Sequence, residues 1–247
     1  VKIYSMIERQ EKTNTPLWQP FPASFASLPN TCFFAAAPTS LIVLCSLISF
    51  ARTQKLIIMD KLIGYFNNYL SLSDSEKEEL KSRFTMRKIK RRQFILQEGD
   101  ICTHYVFVVE GCLKMYKVDE NGKEHNLQFA AENDWIADIG SLHNERPSRL
   151  YIEAVESSVI FQIAKKDLWY LYTQYHKFDR IFRVMIENKF IELQNRVLQN
   201  ISSTAQERYN SFLEQYPNLS RRLPNTQIAS YLGITPEFLS KIRSETH

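Results

Sequence analysis

Motifs of covalent chemistry are missing from this sequence. Its four cysteines, Cys32, Cys45, Cys102 and Cys112, lie far apart and form no C-x-x-C pair. Neither a zinc site nor a redox pair is therefore indicated, and the thiols read as buried, unreactive side chains. The histidines include no H-E-x-x-H and no close pair, and no serine sits in a G-x-S-x-G turn. The commonest metalloenzyme and hydrolase signatures are thus excluded, and the chain reads as a non-enzyme with no catalytic residue, metal or cofactor. An excess of one charge is lacking too: the formal net charge is +4, which permits a nucleic-acid partner without identifying one. Apolar matter is plentiful. With 247 residues, 44% of them hydrophobic, the chain can bury a sizeable core in one large domain or two smaller ones.

Residues 1–58 differ from the rest of the chain. Pro16, Pro20, Pro22, Pro29 and Pro38 crowd a stretch with almost no amphipathic period. The apolar run 33–51 is uncharged and close to the minimum for a membrane span, but Pro38 divides it and leaves a piece, Leu41–Ala51, that is too short. Lys2, Arg9 and Lys12 lie far upstream of that run, and no clear A-x-A site comes after it, so a signal peptide is not favoured. We expect residues 1–58 to be an extension upstream of a natural start at Met59, because helical patterning begins at once in MDKLIGYFNNYL. A membrane-tethered sensor using residues 33–51 is the alternative.

Ser73-Asp74-Ser75-Glu76 announces a second short helix running to about Phe84. Strand-like stretches then succeed one another: 94–96, 105–109, 112–118, 125–130 and 151–154, each rich in β-branched or aromatic residues. Short strands at this spacing point to a sandwich or barrel. Glu98-Gly99-Asp100, Glu110-Gly111 and Asn121-Gly122 supply the turns; the last is a strong hairpin signal, with positive φ expected at both residues. Gly99, Gly111 and Gly122 therefore read as architectural.

Residues 165–174 are helical in pattern, and a longer helix is expected from about 176 to 201. Its apolar residues Phe182, Ile186, Phe190, Leu193, Val197 and Ile201 recur at spacings of three and four, approaching the heptad of a two-helix seam. The polar side carries Glu187, Lys189, Glu192, Gln194 and Arg196. Packing of the stripe on the chain's own strands is the competing reading.

Asn225–Arg243 reads as two short helices around a turn. Ala229 is small where the helices cross and Gly233 makes the turn. Ile228, Leu232, Ile234, Leu239 and Ile242 provide the apolar contacts. Thr235-Pro236-Glu237 is a complete helix start, with a capping hydroxyl, proline in the first turn and an acid near the positive end of the dipole.

Phe94–Asp100, Val106–Tyr116, Asn121–Lys123 and Asp134–Leu142, joined to that C-terminal motif, resemble the Crp/Fnr family over about residues 59–247. The resemblance implies an α+β fold: an N-terminal double-stranded β-roll of jelly-roll type (59–175), a long dimerisation helix (176–201) and a C-terminal helix-turn-helix (202–247). That last part would be winged-helix-like, its wing truncated or absent before His247. In cyclic-AMP-binding members the cassette after the last strand turn carries a glutamate for the ribose hydroxyl and an arginine for the cyclic phosphate. Aligned on Gly140 and Ala154, those positions hold Asp138 and Ser148, with Arg149 one residue off and on the opposite face of a strand. The candidate effector pocket is thus Asp138, Ile139, Gly140, Ser148 and Arg149, and cyclic AMP bound in the usual way is not expected. An iron–sulfur sensor is unsupported for want of the N-terminal cysteine cluster. A haem would have His104 or His125 as ligand, although lone histidines on strands are usually ordinary side chains.

The resemblance further implies a symmetric homodimer whose seam contains Phe182, Ile186, Phe190, Leu193 and Val197. Its partner would be double-stranded DNA, read as a palindrome by Thr235, Pro236, Glu237, Ser240 and Lys241. Family members with arginine where Pro236 stands have a base-reading donor that is missing here, so a different operator is expected. RNA polymerase is a further implied partner, the effector is unidentified, and the cytoplasm is the expected location. The rival from another class is a ligand-binding module whose C-terminal helices mediate protein contacts; failure to retain DNA at low salt would favour it.

Overall fold

A computed structural model describes residues 57–245. The apolar run 33–51, Cys32 and Cys45 lie outside them. Among the described residues no helix is long and apolar enough to cross a membrane, and no group of His, Cys, Asp or Glu could hold a metal ion.

The first described helix, α1 (57–67), contains Ile57 and Ile58, the two residues before Met59. Met59, Leu62 and Phe66 lie on one face and are buried. Helix α2 (Asp74–Arg83) starts with a complete capping box: Ser73 accepts from the Glu76 N–H, and the Glu76 carboxylate accepts from the Ser73 N–H. Eight strands come next: β1 (Phe84–Ile89), β2 (Phe94–Leu96), β3 (His104–Glu110), β4 (Leu113–Val118), β5 (Glu124–Ala130), β6 (Trp135–Ile136), β7 (Tyr151–Ala154) and β8 (Ser158–Ala164). They form two four-stranded antiparallel sheets, β1-β8-β3-β6 and β2-β7-β4-β5, as a β-roll requires. A short helix α3 (Ile139–Asn144) connects β6 to β7. The sequence reading overlooked β1, β6, β8 and α3. β1 reads as a polar run because Arg87 and Lys88 intervene between its buried ends, Phe84 and Ile89.

The N-terminal core includes Phe107, Phe161, Ile160 and Ile163. It extends under α1, α4 (Lys165–Gln174) and the start of α5 (His176–Ser202). Trp135 is its aromatic hub, with ring centroids of Phe107 at 5.1 Å and Phe182 at 5.4 Å.

One turn differs in detail from expectation. At the β4–β5 connection only Gly122 is left-handed, φ 78°, while Asn121 keeps negative φ. The Asp119 carboxylate accepts from the N–H groups of Asn121 and Lys123 and so shapes a longer loop than a two-residue hairpin. Gly111, φ 97°, ends β3, and its N–H donates to the Glu132 carboxylate at 2.9 Å.

After α5 come α6 (Ala205–Gln215), opened by the capping box Thr204/Glu207, then α7 (Leu219–Arg222), α8 (Asn225–Leu232) and α9 (Pro236–Glu245). Their core is not closed by helices alone. Cys112 and Phe129, projecting from the outer face of β2-β7-β4-β5, are buried among Phe212, Tyr216, Ile228 and Tyr231. The boundary expected at residue 202 is therefore crossed by a shared core: the roll supplies residues that the helices need in order to pack. Burial also pushes the Cys112 thiol up to about 12, which keeps it protonated and inert.

Candidate functional site

Three groups of residues carry the expectations: α8 with α9, the cassette around α3, and the apolar stripe of α5.

Helix α8 ends where Gly233 takes the left-handed conformation, φ 69° and ψ 34°, and the next N–H, of Ile234, returns to the Ala229 carbonyl at 3.0 Å. The chain then restarts as α9, whose cap is the Thr235 hydroxyl accepting from the Phe238 N–H at 3.2 Å. Leu239 and Ile242 bury one side of α9 against Ile228 and Ala229. Thr235, Glu237, Ser240 and Lys241 are exposed on the other side, and Pro236 is half-buried. Of the five residues expected to read a groove, Glu237, Ser240 and Lys241 are thus exposed along α9, while Thr235 caps its start and Pro236 is half-buried. Lys241 meets Glu245 only loosely, at 3.9 Å, and Ser240 donates to the Pro236 carbonyl one turn back.

Most cations of this region are committed to structure. Arg243 bonds the side chain of Asn225 and the carbonyl of Ser220, clamping α9 to the preceding helices. Arg222 forms a two-pronged pair with Glu132 at 2.8 and 2.9 Å and also binds Glu156, so α7 is held to the roll by one guanidinium between two carboxylates. Burial opposes ionisation of Glu132, but Arg222 and the Gly111 N–H outweigh it and hold the carboxyl below its ordinary range. Beside them, Asn126 on β5 donates to the backbone and side chain of Gln227, and its N–H donates to Ser230. None of these inter-element residues was singled out by sequence reasoning. Isolated polar residues on strands and helices carry no periodic signal of their partners.

In the cassette, Asp138 caps α3, accepting from the Ser141 N–H at 3.0 Å, and also accepts from the Ser148 hydroxyl at 2.7 Å. Ser148 is buried and takes a further bond from the Leu150 N–H. Ser141 continues the network, accepting from the Cys102 N–H and donating to the Arg146 carbonyl at 2.6 Å. The two positions expected to hold a sugar and a phosphate therefore bind each other. Arg149, Ile139 and Gly140 are exposed and add no cation to this network. A cavity of about 270 Å³ opens nearby between β2, β3, β7 and β8, lined by Arg87, Leu96, Cys102, His104 and Ile152 but by none of the five cassette residues. The two histidines weighed as haem ligands have ordinary partners: His125 Nε2 lies 2.8 Å from Asp119, and His104 Nδ1 lies 2.8 Å from the Thr103 hydroxyl.

On α5 the stripe divides. Phe182 is buried in its own chain, with ring centroids of Tyr172 at 5.3 Å and Phe66 at 5.6 Å, so it belongs to the core and cannot serve a seam. Beyond it Ile186, Phe190, Leu193 and Val197 are 41–58% exposed. The reason lies on the polar side: Lys189 pairs with Asp134 at 2.7 Å, and Arg196 bonds the carbonyls of Asn126, Leu127 and Tyr231. Up to Met185 the helix packs on its own chain through apolar residues, and beyond it through polar ones, with Ile186, Phe190, Leu193 and Val197 turned outward.

These features define a β-roll of the cyclic-nucleotide-binding class followed by a long helix and a C-terminal helical unit. Residues 86–175 match the cyclic nucleotide-binding domain. The anaerobic regulatory protein of Aggregatibacter actinomycetemcomitans is 23% identical over 187 residues, covering 70% of this chain and 71% of that one. The probable transcriptional regulator flp of Lacticaseibacillus casei is 24% identical over 183 residues, covering 70% and 81%. Among solved structures, FixK2 of Bradyrhizobium japonicum superposes with a TM-score of 0.58 at 22% identity, covering 66% of this chain and 84% of that one, which shows a common fold. The chain thus contains a cyclic nucleotide-binding domain and, over about 70% of its length, is similar to transcription regulators.

Proposed function

We propose that the chain is a homodimeric DNA-binding regulator that reads a two-fold symmetric operator through α9. One observation carries this reading: α9 is anchored by Leu239 and Ile242 and leaves Glu237, Ser240 and Lys241 exposed on the opposite side, with Thr235 exposed at its cap. A helix so presented fits the major groove, where Lys241 donates to guanine or phosphate and Glu237 accepts from a cytosine amino group. The helix-turn-helix would thus comprise α8 and α9. Two copies are brought together by the outward stripe from Ile186 to Val197, which is too apolar to remain in water alone. Activity on DNA would put the protein in the cytoplasm, with RNA polymerase as the partner through which binding changes transcription.

Asp138 and Ser148 bind each other where a cyclic nucleotide would need a glutamate and an arginine. We therefore infer that the roll does not take cyclic AMP in the usual way. An effector of other chemistry would act by shifting α5 between two packings that space the recognition helices well or badly.

Selection of random duplexes by the full chain tests the reading. A two-fold symmetric site is expected to emerge, weakened about 10- to 100-fold by Lys241→Ala or Glu237→Ala. Enrichment of no sequence even at low salt would overturn it and favour a protein-contact role for the C-terminal helices.

A further inference from the structure

The roll holds a cation that the protein itself does not neutralise. Arg87 on β1 is half-buried, and its guanidinium donates to the Gln162 side-chain oxygen on β8 at 3.0 Å. It meets no carboxylate among the described residues. A positive charge partly withdrawn from water and left without a counter-charge costs free energy that a bound anion would recover.

Strand register places this charge on the inner face of its sheet. Val106 is the cross-strand partner of Gln162, and Ile160, two residues along β8 and so on the same face, is the partner of Arg87. Val106 and Ile160 are both buried. Leu96 and Ile152, paired with each other in the second sheet, join Arg87, Gln162 and Val106 in lining the cavity of about 270 Å³.

That cavity has two characters. Leu96, Val106 and Ile152 are buried and make its walls apolar, while Arg87, Gln162 and His104 bring donors. The Gln162 amide NH2 has no partner among the described residues, and neither has His104 Nε2, because Thr103 meets the other ring nitrogen. Burial, and after it the Arg87 guanidinium, push the His104 imidazole below its ordinary value, so the ring is neutral at pH 7 and offers one N–H. Two carboxylates bear on the site, and neither pairs with Arg87. Asp100 is exposed at the rim, and Asp167, which is not among the lining residues, is held by Arg83 at 2.9 Å.

The chemistry of the ligand follows from these walls. One guanidinium fork matches one carboxylate, and Asp100 at the rim disfavours an anion of higher charge. The apolar walls call for a hydrocarbon tail. The volume lies just under the range of roughly 300–1,000 Å³ usual for drug-sized ligands, so that tail is short.

We propose that this cavity binds a small monocarboxylate with a short apolar tail, its carboxylate held by Arg87 and Gln162 and its tail lying against Leu96, Val106 and Ile152. The site is separate from the Asp138–Ser148 cassette, which lines no part of the cavity. Binding requires no DNA, so the proposal goes beyond the regulator reading and stands or falls apart from it.

The test is titration calorimetry on the full chain with the straight-chain series acetate, butanoate, hexanoate and octanoate, and with hexanamide as the uncharged counterpart of hexanoate. Affinity should rise by about fourfold per added methylene until the cavity is full, then fall. Hexanamide should bind far more weakly than hexanoate. Arg87→Met, which keeps the aliphatic stem, should weaken hexanoate by about 10- to 100-fold, the loss of a charge-assisted hydrogen bond. Arg149→Gln, beside the cassette, should leave it unchanged. No binding of any member by wild type, equal affinity for hexanoate and hexanamide, or no gain from acetate to hexanoate would overturn the proposal. So would loss of binding in Arg149→Gln with retention in Arg87→Met, which would put the anion at the cassette. Should Arg87→Met fail to fold, the wild-type contrast of hexanoate with hexanamide, together with Arg149→Gln, still decides. Selection of DNA by the same wild-type protein is measured separately, and neither result alters the other.

Discussion

The Arg196 guanidinium lies over the ring of Tyr231, 3.9 Å from its centroid, while its N–H groups bond the carbonyls of Asn126, Leu127 and Tyr231. One side chain on α5 thus ties together the long helix, strand β5 of the roll and the C-terminus of α8. Each carbonyl is an acceptor that the surrounding elements do not otherwise satisfy with charge, and the ring adds a cation–π contact. Replacement with Met keeps the aliphatic stem but removes the donors. Arg196→Met should lower unfolding free energy by about 2–3 kcal/mol, the size of a charge-assisted hydrogen bond lost from a partly buried site. Urea denaturation measures this; an unchanged midpoint would mean the carbonyls are equally well served by water.

The division of the α5 stripe gives opposite expectations for residues a few turns apart. Phe182→Ala opens a cavity in a sealed aromatic cluster and should cost about 3–5 kcal/mol. Leu193→Glu, at a position 56% exposed, should leave the protomer's fold intact yet shift the protein from dimer to monomer. Denaturation together with sedimentation separates the two effects. A stable, dimeric Phe182→Ala protein would contradict the core assignment, and a dimeric Leu193→Glu protein the seam.

Acid should loosen the attachment of α7 to the roll. Because Arg222 and Gly111 hold the Glu132 carboxyl below its ordinary value of 4.5, the folded protein binds fewer protons there than the unfolded chain. Stability from this group is therefore fully present above about pH 4.5 and is lost as pH falls through the depressed value. Glu132→Gln should flatten the pH dependence of the melting temperature in that acid window and lower stability at neutral pH, where Arg222 keeps only Glu156. Identical acid profiles for wild type and Glu132→Gln would refute the assignment.

Gly111→Ala tests the turn that carries this pair. A Cβ at position 111 would come 2.8 Å from the backbone of Ser158 and would have to adopt φ 97°, so neither rotation of a side chain nor a small backbone shift relieves it. The expected cost is about 1–3 kcal/mol. Gly122→Ala, with φ 78° but nothing within 4 Å, carries the strain without the collision and should cost less. Thermal melts of the two variants in parallel check the order.

The cassette shows where sequence reading stopped. Alignment on Gly140 and Ala154 placed Asp138 and Ser148 at two positions of one pocket, but that they bond each other at 2.7 Å depends on α3, which brings residues ten apart in sequence side by side. Arg149 was weighed against Ser148 by strand alternation, but both precede β7, so the burial of Ser148 and the exposure of Arg149 belong to the loop before that strand.

What the sequence alone determined is whatever depends on local periodicity and local backbone chemistry: the turns at Gly99, Gly111 and Gly122, the long α5, the left-handed turn at Gly233 and the cap at Thr235. Each needs only the residues within a few positions of it, because the constraint is a φ angle, a capping oxygen or an apolar repeat. The tertiary structure alone decided which side of α5 faces inward, that Phe182 lies in the core while Phe190 lies in water, and that Phe129 and Cys112 of the roll complete the core of the C-terminal helices. An apolar stripe states that a face must be covered but not by what. Beyond Met185, Lys189 and Arg196 found Asp134 and three carbonyls within the same chain, so there the polar face packs against the roll and α8 and the apolar face turns outward.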